Sequence, residues 1–332
     1  MKFGFVPVAD AAGAVLAHSV SVPSGRLRKG LVLTSDHVAS LAASGLTEVT
    51  VARLGPEDID ENAAALTLAN ALVPDPGAAR INVTAPFTGR VNLIAETAGV
   101  VVLDVDALER FNRIHPMITI ATVPPFQQMQ AGGMVATIKI ISYAVPTQDV
   151  EHAAVCAPNS LRVAAPNYVS AGLVVTDIEG GPSNEKGIRA IENRVSTLGM
   201  TLSETTTVPH DTASLASVLG GMTSDIVLIL TGSATSDIDD VAPAAVRQAG
   251  GRVDRFGMPV DPGNLLFLGV LNQRPVIGLP GCARSPALNG ADWVLSRIAC
   301  GLPVTGADIS AMGVGGLLKE IPTRPQPRAR KS

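Results

Sequence analysis

The sequence predicts an α/β protein: a three-layer α/β/α domain with a mainly parallel sheet, preceded by a smaller β-rich α+β region. From Leu161 onward, short aliphatic runs alternate with segments of helical spacing, which is the grammar of strand, crossover helix and parallel strand. Ile226–Leu230 is aliphatic at every position, as a strand buried on both faces requires. Between Ala79 and Val145 the runs are short, of β type, and separated by Pro, Gly and Asn.

Composition sets the bounds. With 332 residues, 46% of them hydrophobic and 16% charged, the chain can bury a large core and has the length of about two domains. A net charge of -4 offers no overall attraction to nucleic acid or to an anionic membrane, so neither is expected as a partner. Cys156, Cys282 and Cys300 are too scattered for a disulfide framework or a zinc site, and a reducing, cytoplasmic setting is expected. No stretch approaches the roughly 20 apolar residues of a spanning helix, and the first residues lack the pattern of a signal peptide.

The first 77 residues read as an α+β segment. Val6–Leu16 is apolar, and Arg26–Thr34 reads as a turn feeding a strand. Ser35–Ser44 is a helix capped by Ser35 or Asp36 and stopped by Gly45. Val49–Val51 is a strand, and Asp60–Leu72 a helix with Ala64, Leu68, Ala71 and Leu72 on one side, ended at Pro74–Gly77. Residues 78–150 form the β-rich module, with strands at Ile81–Val83, Val91–Ala95, Gly99–Val105, Ile118–Thr122 and Val135–Ser142 and a helix near Val105–Arg113. His115 and Lys139 read as ordinary turn and surface residues. The prolines of Pro146–Pro158 mark a boundary, residues 151–321 form the α/β domain, and the Pro- and Arg-rich residues 322–332 are a disordered tail.

In the α/β domain, Leu161–Ala164 and Ala171–Thr176 are strands. Ser183–Leu198 is a helix with Ile188, Ile191, Val195 and Leu198 on one face, and Thr201–Val208 is a strand. Asp211 caps a helix through Leu219, Ile226–Leu230 and a helix from Val241 to Ala249 follow, and strands are expected at Val253–Phe256, Leu265–Val270 and Val276–Leu279. A helix from about Ser285 to Cys300 closes the domain. Ligands of such a sheet gather at its C-terminal strand ends.

Two small-residue loops fall there. Thr231–Asp240 supplies hydroxyls from Thr231, Ser233, Thr235 and Ser236 and carboxylates from Asp237, Asp239 and Asp240. This suits a phosphate held by amides and hydroxyls, with a carboxylate on a divalent cation; equally, Asp239 and Asp240 simply begin a helix, where acids complement the dipole. Leu279–Pro286 repeats the pattern. Its Arg284 could grip a phosphate or pack at the surface, and Cys282 could be a nucleophile or a small residue in a tight turn. Neither loop is a Walker A sequence or a dinucleotide fingerprint.

Asn184–Gly187, Thr231–Thr235 with Asp240–Pro243, Gly257–Gly263 and Gly278–Gly281 together resemble, in order and spacing, the molybdopterin-binding domain of the molybdopterin adenylyltransferases and molybdotransferases. The likeness covers about residues 160–302, and residues 27–51 are similar to a segment that precedes this domain in the molybdotransferases. The resemblance implies a site for molybdopterin or the molybdenum cofactor. Gly232, Ser233, Ala234 and Thr235, flanked by Thr231 and Ser236, match its phosphate loop; Pro262, Gly263, Asn264, Pro280 and Gly281 match the turns beside the pterin, with Cys282, Arg284 and Ser285 following. Asn184 and Glu185 open the first helix of the site. Asp240 matches the retained acid that supports magnesium and transfer chemistry, with Asp237 beside it.

There are departures. Ser233 stands where the family loop has a second glycine, Asn184 where the adenylyltransferases have an acid, and Asp261 and Asn264 where the molybdotransferases have lysines. Binding is therefore better founded than catalysis. The expected role is in biosynthesis, maturation or delivery of the cofactor to a molybdoenzyme or another biosynthetic protein, with a molybdotransferase-like reaction and Mg²⁺ as its enzymatic form. The alternatives are a magnesium-dependent hydrolase or transferase of nucleotide diphosphates of the ADP-ribose type, and a ligand-free regulatory scaffold. A homo-oligomer is expected.

Overall fold

The computed structural model describes residues 1–319, so the tail expected from residue 322 lies outside the described residues. The chain folds as two compact units, residues 1–97 with 101–163, and residues 98–100 with 164–319.

The first unit opens with an antiparallel sheet in which Glu48–Arg53 lies between Lys2–Pro7 and Val15–Leu16. Helix Ser35–Ala43 is capped by Thr34, whose hydroxyl and backbone exchange bonds with His37, and not by Ser35 or Asp36. Leu31–Thr34 forms no extended strand but an isolated bridge, Val32 to Val15, supported by backbone bonds of Leu31 to Leu16 and of Leu33 to Ala14. Asp60 caps helix Glu61–Leu72 by accepting the amides of Asn62 and Ala63. This helix, with Val105–Ile114 and Thr147–Cys156, shares one apolar core with an antiparallel sheet ordered 118–122, 134–140, 90–95, 81–83. The segment after Pro146, marked by its prolines as a break, contains a helix that buries Val150 and Ala153; proline is tolerated just before the first turn, where no intrahelical donor is needed. Lys139 is not a plain surface residue: its ammonium donates to Thr88 O and lies 3.9 Å from Glu61.

The second unit is built on strands β1 (Ser170–Asp177), β2 (Thr201–Pro209), β3 (Ile226–Leu230), β4 (Arg252–Phe256), β5 (Phe267–Leu271) and β6 (Arg274–Leu279), in the order β2-β1-β3-β6-β5-β4. The first four strands in this order run parallel, and β5 runs antiparallel to β6 and β4. The β5–β6 hairpin turns on Asn272 and Gln273, both left-handed at φ 50° and 63°, the conformation that matches strand twist in a tight turn.

Alternation along the strands divides the interior. Leu173, Val175, Leu228, Leu230, Ile277 and Leu279 face helices α1 (Asn184–Thr197) and α4 (Gly290–Ala299), while Val174, Val227, Ile229 and Val276 face α2 (Thr212–Gly221) and α3 (Val241–Gln248). The three layers follow from this period of two. The last helix starts at Gly290 and not near Ser285, because Asn289 caps it and Arg284 still belongs to a 3-10 turn.

Register places the loops. Val174 pairs with Ile229, Ile229 with Gly278, Gly278 with Phe267, and Phe267 with Phe256. Residues 178–183, 231–240, 257–266 and 280–289 therefore all leave the sheet at one edge. Among the described residues no helix is long and apolar enough to cross a membrane.

Candidate functional site

The loop after β3 is built from within. Thr231 and Thr235 are buried, their hydroxyl oxygens 3.4 Å apart, and the Gly232 amide donates to the hydroxyl of Thr176 at the end of β1, at 2.9 Å. A methyl group on Gly232 would lie 2.7 Å from Thr176 O, so glycine is required by the approach of the two backbones. Ser233, Ala234, Ser236 and Asp237 are exposed. Among the described residues, the backbone N–H groups of Ser233, Ala234 and Thr235 have no protein acceptor.

The acids of this loop close it. One oxygen of Asp240 accepts the Ser236 amide at 2.9 Å and the other the Val241 amide at 2.7 Å, which caps α3. Asp237 accepts from the amide of Asp239 at 2.8 Å, and Asp239 pairs with Arg247 at 2.7 Å. Among the described residues no group of three or more His, Cys, Asp and Glu side chains could hold a metal ion.

The loop after β6 is held from outside. Gly281–Arg284 forms a 3-10 turn. The Arg284 guanidinium donates to Thr231 O at 3.0 Å, to Asn184 Oδ1 at 3.2 Å and to Ser183 O at 3.3 Å. Asn184 in turn donates to Asp177 Oδ1 at 2.7 Å. Burial lowers the pKa of Arg284 and the Asp177 carboxylate offsets part of that shift. Arg284 thus ties three strand-end segments together through backbone and amide oxygens. Behind the loop, Arg194 of α1 donates to Ala283 O, Ser285 O and Ala287 O at 2.9, 2.7 and 3.0 Å and pairs with Asp292 at 2.6 Å. Cys282 is half-buried, and burial pushes its thiol up, so it stays protonated where a nucleophilic cysteine would ionise.

The third loop rests on its neighbours. Pro262 follows a cis peptide bond and its carbonyl accepts the Gly290 amide at 2.9 Å; Gly263 lies against the same residue. Asn264 exchanges bonds with Met258. Pro280 and Gly281 lead directly from β6, and Ser285 Oγ accepts the Ala287 amide at 3.2 Å. Glu185 is set apart: its carboxylate meets Arg189 at 2.9 Å on the exposed surface of α1. Among the described residues no hydrogen bond joins Asp237 or Asp240 to the loop after β6.

Four contributors escape the sequence: Thr176, Asp177, Arg194 and His210. Thr176, Arg194 and His210 act across 34 residues or more, whereas Asp177 meets Asn184 seven residues on; only the position of Thr176 and Asp177 at the end of an aliphatic strand carried any signal of proximity to a ligand edge.

Over residues 5–53 the chain matches a family described as a domain of unknown function, DUF8806. No curated protein matches the chain. Among solved structures it is similar to the molybdopterin biosynthesis moea protein from Pyrococcus horikosii, at 14% identity over 90% of this chain and 75% of that one, with a TM-score of 0.31. It is also similar to molybdenum cofactor biosynthesis protein B, at 16% identity over 40% of this chain and 88% of that one, TM-score 0.28. The CinA protein of unknown function from Thermoplasma acidophilum is similar at 16% identity over 36% of this chain and 91% of that one, TM-score 0.25.

Proposed function

We propose that this chain binds molybdopterin or the molybdenum cofactor at the C-terminal edge of its parallel sheet and acts in biosynthesis, maturation or delivery of that cofactor. The observation that carries this reading is the run of N–H groups at Ser233, Ala234 and Thr235, which lack protein acceptors among the described residues and lie in the loop after β3. Consecutive free amides in a small-residue loop are suited to a phosphate. The motif likeness of the same residues to a phosphate loop supports it, as does Arg284, which joins that loop to the start of α1.

On this reading Thr231–Ser236 receive the phosphate, and Pro262–Asn264 and Pro280–Ser285 flank the pterin. Asp240 holds its loop closed; its oxygens keep lone pairs beyond those taken by the amides of Ser236 and Val241, so it would supply one ligand to a magnesium ion that takes its other oxygens from the phosphate and water. Asp237 lies in the same turn. The partner is a molybdoenzyme or another cofactor-biosynthesis protein, and a homo-oligomer belongs to the proposal.

The test is oxidation of the purified full chain followed by fluorescence detection of pterin. Wild type is expected to release fluorescent pterin, and T235A and D240A to release several-fold less. Equal release by all three, or none by wild type after co-production with cofactor-synthesis enzymes, overturns the reading.

A further inference from the structure

Thr176 is fully buried, and its hydroxyl has two partners, the Gly232 amide at 2.9 Å and His210 Nδ1 at 2.8 Å. A backbone amide can only donate. The hydroxyl therefore accepts from Gly232, and its own hydrogen has one acceptor within reach, the imidazole nitrogen. The alternative tautomer would leave a hydroxyl hydrogen buried without a partner, which costs the full desolvation of that donor. Hydrogen-bond economy thus puts the ring proton on Nε2.

His210 follows β2 directly and lies at the ligand edge, its own amide bonded to Asp177 O at 3.1 Å. The side chain is half-buried, and among the described residues Nε2 has no protein partner. Among the described residues no hydrogen bond joins the adjacent Asp211 carboxylate to the ring; that carboxylate accepts the Ser214 amide at 2.8 Å to cap α2. One short chain of bonds therefore runs from Gly232 through Thr176 to an imidazole whose second nitrogen is a donor.

We propose that His210 is a ligand-contacting residue of the strand-end site, presenting Nε2–H to an anionic oxygen of the phosphate class on a molecule held by the amides of residues 233–235. This rests on the functional reading above only in sharing its site. It makes the buried Thr176 a positioning residue: the hydroxyl sets the tautomer and orients the ring.

The test uses the ¹⁵N-labelled full chain and inorganic phosphate as probe, at a pH at which the spectra themselves show a neutral ring. Two-bond ¹H–¹⁵N spectra of the free protein are expected to show His210 protonated at Nε2, and T176V to lose that preference. Phosphate is expected to shift the Nε2 resonance, and H210A to weaken phosphate binding roughly tenfold. H210Q, which keeps an N–H near the Nε2 position, is expected to recover most of the affinity. An Nδ1–H tautomer, phosphate binding unchanged in H210A, or no phosphate binding by wild type each overturns the proposal. Phosphate binding through His210 without pterin retention would remove the cofactor reading and support this one; pterin retention with H210A unimpaired would do the reverse.

Discussion

The loops after β3 and β6 leave neighbouring parallel strands at the same edge, yet they are stabilised in opposite ways. Residues 231–240 are closed by their own Asp240, which spans Ser236 and Val241, whereas residues 280–289 are gripped from outside by Arg194 through the carbonyls of Ala283, Ser285 and Ala287, and their own Arg284 reaches out to Thr231 O. A loop that spends its acids on its own amides keeps a run of other amides open, and those are the groups a phosphate can use. A loop whose carbonyls are bound by a nearly buried arginine turns those acceptors inward and serves as a fixed wall. The division of labour is therefore read from where the hydrogen bonds go.

The largest perturbation should remove the difference by damaging both. Gly278 lies in β6 between β3 and β5, and a methyl group there would meet the Phe267 ring at 1.9 Å. G278A is expected to lose about 3 kcal/mol in urea unfolding, the upper range of overpacking, and to raise hydrogen exchange in both loops. Adding F267L, which removes the clashing ring edge, should restore part of the loss; no recovery in the double variant would mean that the strand, not the ring, rejects the side chain.

R194M should separate the loops. It deletes a nearly buried pair with Asp292 and the bonds to Ala283, Ser285 and Ala287 while preserving an unbranched side chain. Breaking such a pair costs about 3 kcal/mol, largely from the carboxylate left behind. Amides of residues 281–289 should exchange faster, and those of residues 236–241 should not. Equal loosening of both would mean that the loop after β3 also depends on the arginine scaffold.

The converse is smaller. D240A removes an N-cap and should cost about 1 kcal/mol, with D240N close to wild type because asparagine caps as well. Exchange should rise at Ser236 and Val241 and stay constant at residues 281–289.

Much of this architecture was legible in the chain. Ile226–Leu230 is a strand between two helical layers, as its unbroken aliphatic run requires, and the three-four-three spacing of Ile188, Ile191, Val195 and Leu198 marks the buried face of α1. Asp211 caps α2 as expected. The misses have physical causes. Thr34, Ser35 and Asp36 are all competent caps, and the backbone angle of Thr34 chooses among them. The helix Thr147–Cys156 is not legible inside Pro146–Pro158, since proline breaks a helix from within, yet Pro146 stands before the first turn. In the site, small residues at strand ends were visible, but Arg194 looked like any helix arginine, and nothing local couples Thr176 to His210 across 34 residues.

Cys282 offers the mildest way to sharpen the contrast, because it sits inside the externally held loop. Burial is the leading cause of its raised pKa, with Asp292 and Asp261 adding to it and Arg194 opposing it. The sign follows: as pH rises through the ordinary thiol range, the unfolded chain loses this proton before the folded one does. Stability should thus fall slightly as pH climbs past the unfolded thiol pKa, and the native thiol should alkylate more slowly than a free cysteine at the same pH. In R194M two effects oppose one another, since loss of the guanidinium raises the thiol further while loosening of the turn exposes it. Because burial outweighs the arginine among the causes, exposure should win, and iodoacetamide modification at Cys282, followed by peptide mass spectrometry, should speed up severalfold in R194M and not in D240A. An unchanged rate in R194M would show that the turn keeps its shape without its external grip, and the two loops would then be alike in holding themselves.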